Sequence, residues 1–201
     1  MKTINVSDGM DNFSQRNNKV RPFSSCNTTS LTMATFYIKA LWEKFINSPA
    51  YKQYEQFEQP EDRLQYALLE WGLEPINHYD LMKGYNKFMG EEIDFFSTTA
   101  PLKELIDDLL AGKPWVGSGT FPGFPNLEKK PLGHIVCVVG VVYDDSPYKP
   151  ARMIIDDPYG DTMNNWQGSG NDVVIAWDLF LKWFKPCDNS DVFWAHRFKV
   201  V

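Results

Sequence analysis

The strongest constraint on the fold is an uninterrupted run of β-branched and small residues at positions 133–143, G-H-I-V-C-V-V-G-V-V-Y. Such residues favour strands, and the lack of apolar/polar alternation predicts a strand buried on both faces for most of its length. Residues 152–157, R-M-I-I-D-D, predict the next strand. The turn between the two segments, at 144–150, indicates an antiparallel hairpin.

The first half of the chain is predicted to be mainly helical, because apolar residues there recur at steps of three and four. Pro near helix starts and Gly after helix ends mark several boundaries. The predicted helices are 26–46, 60–71, 79–88, 101–112 and 177–185, and the remaining predicted strands are 93–96, 113–120 and 192–201. Loops are predicted at 121–132 and 160–173. Helices first and antiparallel strands later predict an α+β fold.

The length and charge of the chain limit its organisation and its partners. At 201 residues it is expected to form one domain over 1–201, with residues 1–14 as an N-terminal arm. A formal net charge of −6 without a basic stripe argues against a nucleic-acid partner. No segment reaches the roughly 20 apolar residues of a membrane helix, so no membrane partner is expected. Without a secretory signal the protein is expected to be cytoplasmic as synthesised, or released by lysis or an unencoded export route.

Cysteine and histidine usage predicts free thiols and neither cofactor nor metal. Cys26, Cys137 and Cys187 are an odd number with no C-x-x-C spacing, and there are only three histidines. Cys137 lies among valines and is predicted to be core, whereas Cys187 follows Pro186 in a polar turn and is interpreted as incidental. The acids of the turns, which lack calcium-loop spacing, are interpreted as solvated: Asp144, Asp145, Asp161 and Asp172.

Cys26 is the candidate nucleophile, because it opens a helical pattern after Ser24 and Ser25. Unpaired N–H groups and the positive end of the helix dipole stabilise a thiolate there. A cysteine hydrolase also needs an imidazole, a group that orients it and a donor for the oxyanion. His134 at a strand start can be the base. Gln15, eleven residues before the cysteine, can be the oxyanion donor.

The orienting acid is one of two neighbours at a strand end, Asp156 and Asp157. Alternate side chains of a regular strand point to opposite faces, so only one of them can face His134. Asp157 is preferred. The other two histidines, His78 and His196, are interpreted as structural or surface residues. Trp115, Trp166 and Phe121 either line the cleft or pack in the core.

Four motifs in order resemble the papain-like cysteine peptidases related to the bacteriocin-processing, double-glycine leader peptidases. They are Q-R-N before S-C-N-T-T-S-L-T-M, then P-L-K-E-L-I-D-D-L-L-A-G-K-P, G-H-I-V-C-V-V-G-V and I-I-D-D-P-Y-G, spanning about residues 15–160. The resemblance implies a papain-like fold, with a helical half that carries Cys26 and an antiparallel sheet that carries His134 and Asp157. It also implies Gln15 as oxyanion donor. The chain departs from the family where Asn27-Thr28 replaces a frequent Gly-Pro.

These expectations together predict a stand-alone cysteine peptidase or amidase. The substrate is a peptide or isopeptide bond, either in bacterial cell-wall peptide, as for a phage or bacterial lysin, or in a protein precursor. Two alternatives remain: an inactive papain-like domain that binds a peptide or glycan, and a transglutaminase-like acyltransferase with the same triad. The oligomeric state does not follow from the sequence.

Overall fold

The computed structural model describes residues 1–121, 132–184 and 191–199. The helices are α1 to α7 in chain order: Cys26–Tyr37, Lys39–Asn47, Pro49–Gln53, Pro60–Glu70, His78–Met89, Leu102–Leu110 and Trp177–Phe184. The strands are β1 to β7: Lys2–Asn5, Asp94–Pro101, Trp115–Phe121, Leu132–Tyr143, Arg152–Asp156, Val173–Ala176 and Val192–Phe198. Cys187 and most of the predicted loop at 121–132 lie outside the described residues.

The seven strands form one antiparallel sheet in the order β2-β7-β3-β4-β5-β6, and β1 pairs with β4. The long strand β4 therefore has three partners. Its first half pairs with β3, and its second half pairs with both β5 and β1. The predicted β4–β5 hairpin is confirmed. The buried strand predicted at 133–143 lies inside the sheet, with neighbours on both sides.

Helices cover both faces of the sheet, so alternate residues of β4 enter two different cores. Ile135, Cys137 and Val139 pack with α1, α2, α4 and α5. Val136 and Val138 pack on the other face, with α6 and α7. This explains why the strand shows no polar alternation, because side chains on both faces are removed from water.

The strand β1 within the predicted N-terminal arm approaches β4 closely at Gly140. A Cβ atom at that position would lie 2.3 Å from the carbonyl oxygen of Ile4. The neighbouring register shift in the β4–β5 pairing is a bulge between Val138 and Gly140. A residue without a side chain is therefore required where the two strands meet.

The predicted helix 26–46 is wrong as a single element. The chain bends at Ile38, whose φ of −101° and ψ of 91° are extended, and α2 starts afresh at Lys39. The periodicity continues across the bend because both helices face the same core. Helix α1 is also not amphipathic, since ten of its twelve residues are buried.

A short α-helix and a short edge strand were missed by the sequence reasoning. Pro49–Gln53 forms α3, in a stretch for which no element was predicted. Val173–Ala176 forms the edge strand β6 at the end of the predicted loop 160–173. Both have five residues or fewer, too few for a periodic pattern to be recognised.

Candidate active site

Cys26 is the first residue of α1 and is partly exposed. Helix α4 anchors the segment before Cys26. The carboxylate of its Asp62 accepts hydrogen bonds from the backbone N–H groups of Lys19 and Val20 at 2.8 and 2.9 Å. The backbone N–H of a first helical residue has no intrahelical acceptor. The Cys26 thiol lies 3.1 Å from Oδ1 of Asn27, the residue at which the motif departs from Gly-Pro.

His134 and Asp157 form a buried pair, in which His134 Nε2 lies 2.8 Å from Asp157 Oδ1. Both side chains are almost completely removed from solvent. Burial lowers the pKa of His134, but the Asp157 carboxylate and a hydrogen bond with Cys26 outweigh it and raise the pKa well above 6.5. Because Nε2 is engaged by Asp157, the hydrogen bond with Cys26 falls to Nδ1.

Aromatic edges hold the His134 ring in place. The rings of Phe121 and Trp166 meet it in T-shaped contacts, with centroids 5.1 and 5.3 Å away. Packing on two sides restricts the ring to one orientation between its carboxylate and its thiol.

Asp157 is fixed by the loop that follows it. Its Oδ1 accepts a hydrogen bond from the backbone N–H of Tyr159 at 2.9 Å, and its own N–H donates to the carbonyl of Gly170 at 2.8 Å. A Cβ at Gly170 would lie 2.0 Å from the Asp157 carbonyl oxygen, so glycine is required for this approach. Residues 158–170 therefore position the carboxylate.

Asp156 is turned away from His134. Its Oδ1 accepts a hydrogen bond from the backbone N–H of Asp172 at 2.7 Å, and it lies near Tyr37 under α1. Burial is the main cause that raises its pKa from 3.8 to about 6. The two neighbouring acids thus have separate environments, and it is Asp157 that contacts the imidazole.

Gln15 connects the Asp157 loop with the chain before Cys26. Its backbone N–H donates to the carbonyl of Pro158 at 2.9 Å, and its side-chain Nε2 donates to the carbonyl of Pro22 at 2.8 Å. The side chain is 1% exposed. One of the two amide hydrogens on Nε2 is left for another acceptor.

A cavity of about 420 Å³ brings these groups together. Gln15, Cys26 and His134 line it, together with Ile76, His78 and Trp194. An adjoining cavity of about 260 Å³ shares Trp194 with it. Trp115, Trp166 and Phe121, the aromatic residues considered for the cleft, are buried and do not line the first cavity.

The sequence reasoning missed a second polar chain beside the cavity. Asp94 Oδ2 lies 2.7 Å from His196 Nδ1, and His196 Nε2 lies 3.0 Å from His78 Nδ1. His196 is buried as a structural residue would be, whereas His78 reaches the cavity wall. The two histidines are 118 positions apart, so no local pattern connects them.

Within residues 1–121, 132–184 and 191–199, no group of three or more His, Cys, Asp or Glu side chains is placed to hold a metal ion. Over the same residues, no helix has the length and apolar character that crossing a membrane requires. Cys137 lies in the core, as predicted, where burial raises the pKa of its thiol well above 9.

The α+β arrangement confirms the predicted class, a papain-like protein with the Cys26 helix packed on an antiparallel sheet. A Bacillus anthracis protein of known structure, described as a candidate C39-like peptidase, has this fold. The two agree with a TM-score of 0.56 over 100% of this chain and 99% of the other, at 16% sequence identity. Curated proteins give no match to the sequence.

The family follows from the sequence match. The model of the Peptidase_C39 like family matches residues 8–180, and the chain belongs to that family. The resemblance found in the motifs is thereby confirmed. Membership supports a function of the cysteine peptidase type.

Proposed function

We propose that this protein is a cysteine peptidase or amidase whose nucleophile is Cys26, with His134 as base and acid, Asp157 as its orienting group and Gln15 as oxyanion donor. The observation that carries the proposal is the meeting of Gln15, Cys26 and His134 in one cavity, with Asp157 bonded to the far side of the imidazole. Each group has the neighbour that its role requires.

In the acylation step, the Cys26 thiolate attacks the carbonyl carbon of the scissile bond. The carbonyl π electrons move to oxygen, and the oxyanion accepts hydrogen bonds from the free Nε2–H of Gln15 and the backbone N–H of Cys26. As the C–N bond breaks, the His134 imidazolium gives its proton to the leaving amine. The products are an acyl-thioester and a free amine.

In the deacylation step, His134 takes a proton from water, and the hydroxide formed attacks the thioester carbonyl. Collapse of the second tetrahedral intermediate releases the carboxylic acid and restores the thiolate–imidazolium pair. Asp157 keeps Nδ1 directed at the sulfur and stabilises the imidazolium in both steps. If an amine replaces the water, the same cycle is an acyl transfer.

Thiol alkylation with peptide mapping tests the nucleophile. We expect iodoacetamide to label Cys26 in the folded protein, while the buried Cys137 stays unlabelled. In His134→Gln, labelling of Cys26 should slow by about tenfold at pH 6, because the thiol loses the imidazole that accepts its proton. Free N-acetylcysteine, alkylated under the same conditions, supplies the reference rate. Equal labelling of Cys26 and Cys137, or labelling of Cys26 only after denaturation, would contradict the proposal.

Two assays test the substrate class, which is a peptide or isopeptide bond in cell-wall peptide or in a protein precursor. Purified cell walls from several bacteria, incubated with wild type and with Cys26→Ser, report lysis as loss of turbidity. No Cys26-dependent loss with any wall would eliminate the lytic version. Fluorogenic peptides with and without hydroxylamine distinguish hydrolysis, which releases acid, from transfer, which gives hydroxamate.

A further inference from the structure

The second polar chain ends at the wall of the same cavity that Cys26 lines. Asp94 and His196 are buried, at 3% and 1% exposure, and each ring nitrogen of His196 has a partner. The carboxylate of Asp94 can only accept, so Nδ1 of His196 must donate to it. The charge of Asp94 therefore orients His196, which in turn orients His78.

The hydrogen-bonded row Asp94–His196–His78 leaves one nitrogen of His78 for a ligand. Nδ1 of His78 faces His196, and Nε2 has no hydrogen-bond partner in the described part of the protein. The ring lies parallel to Phe96, with centroids 4.4 Å apart, and meets Trp194 edge-on at 5.7 Å. A stacked and hydrogen-bonded ring is preorganised to make one further hydrogen bond.

His78 is uncharged at neutral pH. Burial, reinforced by the neighbouring His196, lowers the pKa of His78 from 6.5 to about 4. Neutral imidazole carries a donor on one nitrogen and an acceptor on the other. A peptide backbone offers both N–H and C=O groups, so it can pair with Nε2 in whichever tautomer His196 imposes.

Exposed apolar side chains line the cavity that His78 reaches. Phe23, Ile76 and Trp194 are 86%, 66% and 38% exposed, and all three line the cavity. None of the lining residues that the structure describes is Lys, Arg, Asp or Glu. Exposed apolar groups gathered at a cleft mark a binding surface. A ligand with a charged side chain would find no opposite charge among the described lining residues.

We propose that His78, oriented by Asp94 through His196, hydrogen-bonds the backbone of a peptide substrate whose neighbouring side chain is bulky and apolar. The proposal rests on the proposed function for the position of the scissile bond. It favours a peptide of a protein precursor over the stem peptides of cell walls, whose acidic and basic side chains find no counter-charge among the described residues that line this cavity. His78 contacts the substrate, and Asp94 and His196 are positioning residues.

Fluorogenic peptides that differ in one residue beside the scissile bond test the side-chain preference. We expect kcat/KM for Leu and Phe to exceed that for Glu and Lys by about tenfold or more. A preference for Glu or Lys, or no preference, would overturn the apolar assignment. This result would leave Cys26 labelling unaffected, so the two proposals fail separately.

Variants of the polar chain test the role of His78. His78→Phe keeps a ring against Phe96 but removes both nitrogens, and we expect KM to rise by about three- to tenfold, the effect of one hydrogen bond, with little change in kcat. Asp94→Asn should raise KM in the same direction. Tyr79→Phe, a neighbour whose ring also meets Phe96, is the matched control and should match wild type. An unchanged KM in His78→Phe would overturn the proposal.

A binding measurement that keeps His78 unchanged tests the proposal even if the His78 variants fail to fold or the peptides are not cleaved. With ¹⁵N-labelled histidine only three side chains contribute signals. Titration of Cys26→Ser with a Leu- or Phe-containing peptide should shift Nε2 of His78, while a Glu-containing peptide should not. Saturable binding with no shift at His78 would contradict the contact, as would absence of binding by all peptides.

Discussion

At the scale of single residues, neighbours decide the chemistry of identical groups. His134 and His78 line the same cavity, but a carboxylate and a thiol raise the pKa of the first, and burial lowers that of the second. Because the pKa of folded His134 lies above 6.5, its protonation stabilises the fold fully below that pH, and this stability is lost as pH rises further. For His78 the sign is opposite. Its contribution to the stability of the fold is fully present above pH 6.5 and is lost as pH falls from 6.5 towards 4.

Replacement of Asp157 by Asn should separate charge from shape at the imidazole. We expect kcat/KM to fall by about tenfold to a thousandfold, because the imidazolium loses its counter-charge. In ¹⁵N NMR the pKa of His134 should fall in the same variant. Asp156→Asn is the matched control, and it should keep activity within about threefold because Asp156 bonds to the backbone of Asp172. Equal losses in the two variants would contradict the assignment of Asp157.

Glu61 in the first turn of α4 is a second buried acid with a testable effect. It is 1% exposed, neither oxygen has a hydrogen-bond partner among the described residues, and burial raises its pKa from 4.5 to about 7. The contribution of Glu61 to the free energy of unfolding is therefore most favourable below pH 4.5 and decreases as pH rises through 7.

We expect Glu61→Gln to be more stable than wild type at pH 8, by about 1–3 kcal/mol, with a smaller difference near pH 4.5. Urea unfolding at the two pH values measures this. Glu58→Gln is the control, since the Glu58 side chain is 82% exposed and pairs across the surface with Lys19. A pH-independent difference would contradict the raised pKa of Glu61, because it would mean that the folded and unfolded states bind the same number of protons there.

At the scale of elements, β4 contributes His134 to the candidate site and pairs with three other strands of the sheet. His134 is near its start, where the hydrogen bond from Ser30 Oγ to the Ile135 carbonyl, at 3.0 Å, ties the strand to α1. Its other end receives β1 at Gly140. The distance between Cys26 and His134 therefore depends on the packing of one helix on one strand.

Gly140→Ala should detach β1, because the added Cβ would overlap the Ile4 carbonyl. We expect a loss of roughly 1–3 kcal/mol in unfolding free energy, and faster amide hydrogen exchange in a peptide covering residues 1–6. Gly133→Ala in the same strand is the stability control, since, apart from its chain neighbours, no atom of the described residues lies within 4 Å of its added Cβ. Unchanged exchange at residues 1–6 would contradict the predicted overlap.

At the scale of the whole molecule, β4 joins two cores that lie on opposite faces of the sheet. Loss of the strand would expose Ile135 and Val139 from one core and Val136 and Val138 from the other. We propose that the chain is one cooperative domain over 1–201, as its length predicts.

Urea unfolding tests this cooperativity. We expect tryptophan fluorescence and far-UV circular dichroism to give coincident single transitions, because neither core remains closed without β4. The same experiment on Gly140→Ala should give a single transition at lower urea. Two separated transitions in wild type would show that the helical layers on the two faces unfold independently.

The sequence by itself determined the order and type of most long elements and the buried character of β4, and it predicted Gln15, Cys26, His134 and Asp157 for the candidate site. These features depend on local periodicity, on Pro and Gly at element ends and on motifs of contiguous residues. The bend at Ile38 was missed because both flanking helices follow the same apolar period, and α3 and β6 were missed because they are short.

Only the tertiary structure decided which groups meet. Asp157 contacts His134 because the 158–170 loop closes on it through Gly170, whereas strand alternation states only that one of two neighbouring acids can do so. His78 joins His196 and Asp94 because α5 packs beside β2 and β7, across separations of 118 and 102 residues. Contacts of that range arise from the packing of whole elements, and local sequence preferences carry no record of them.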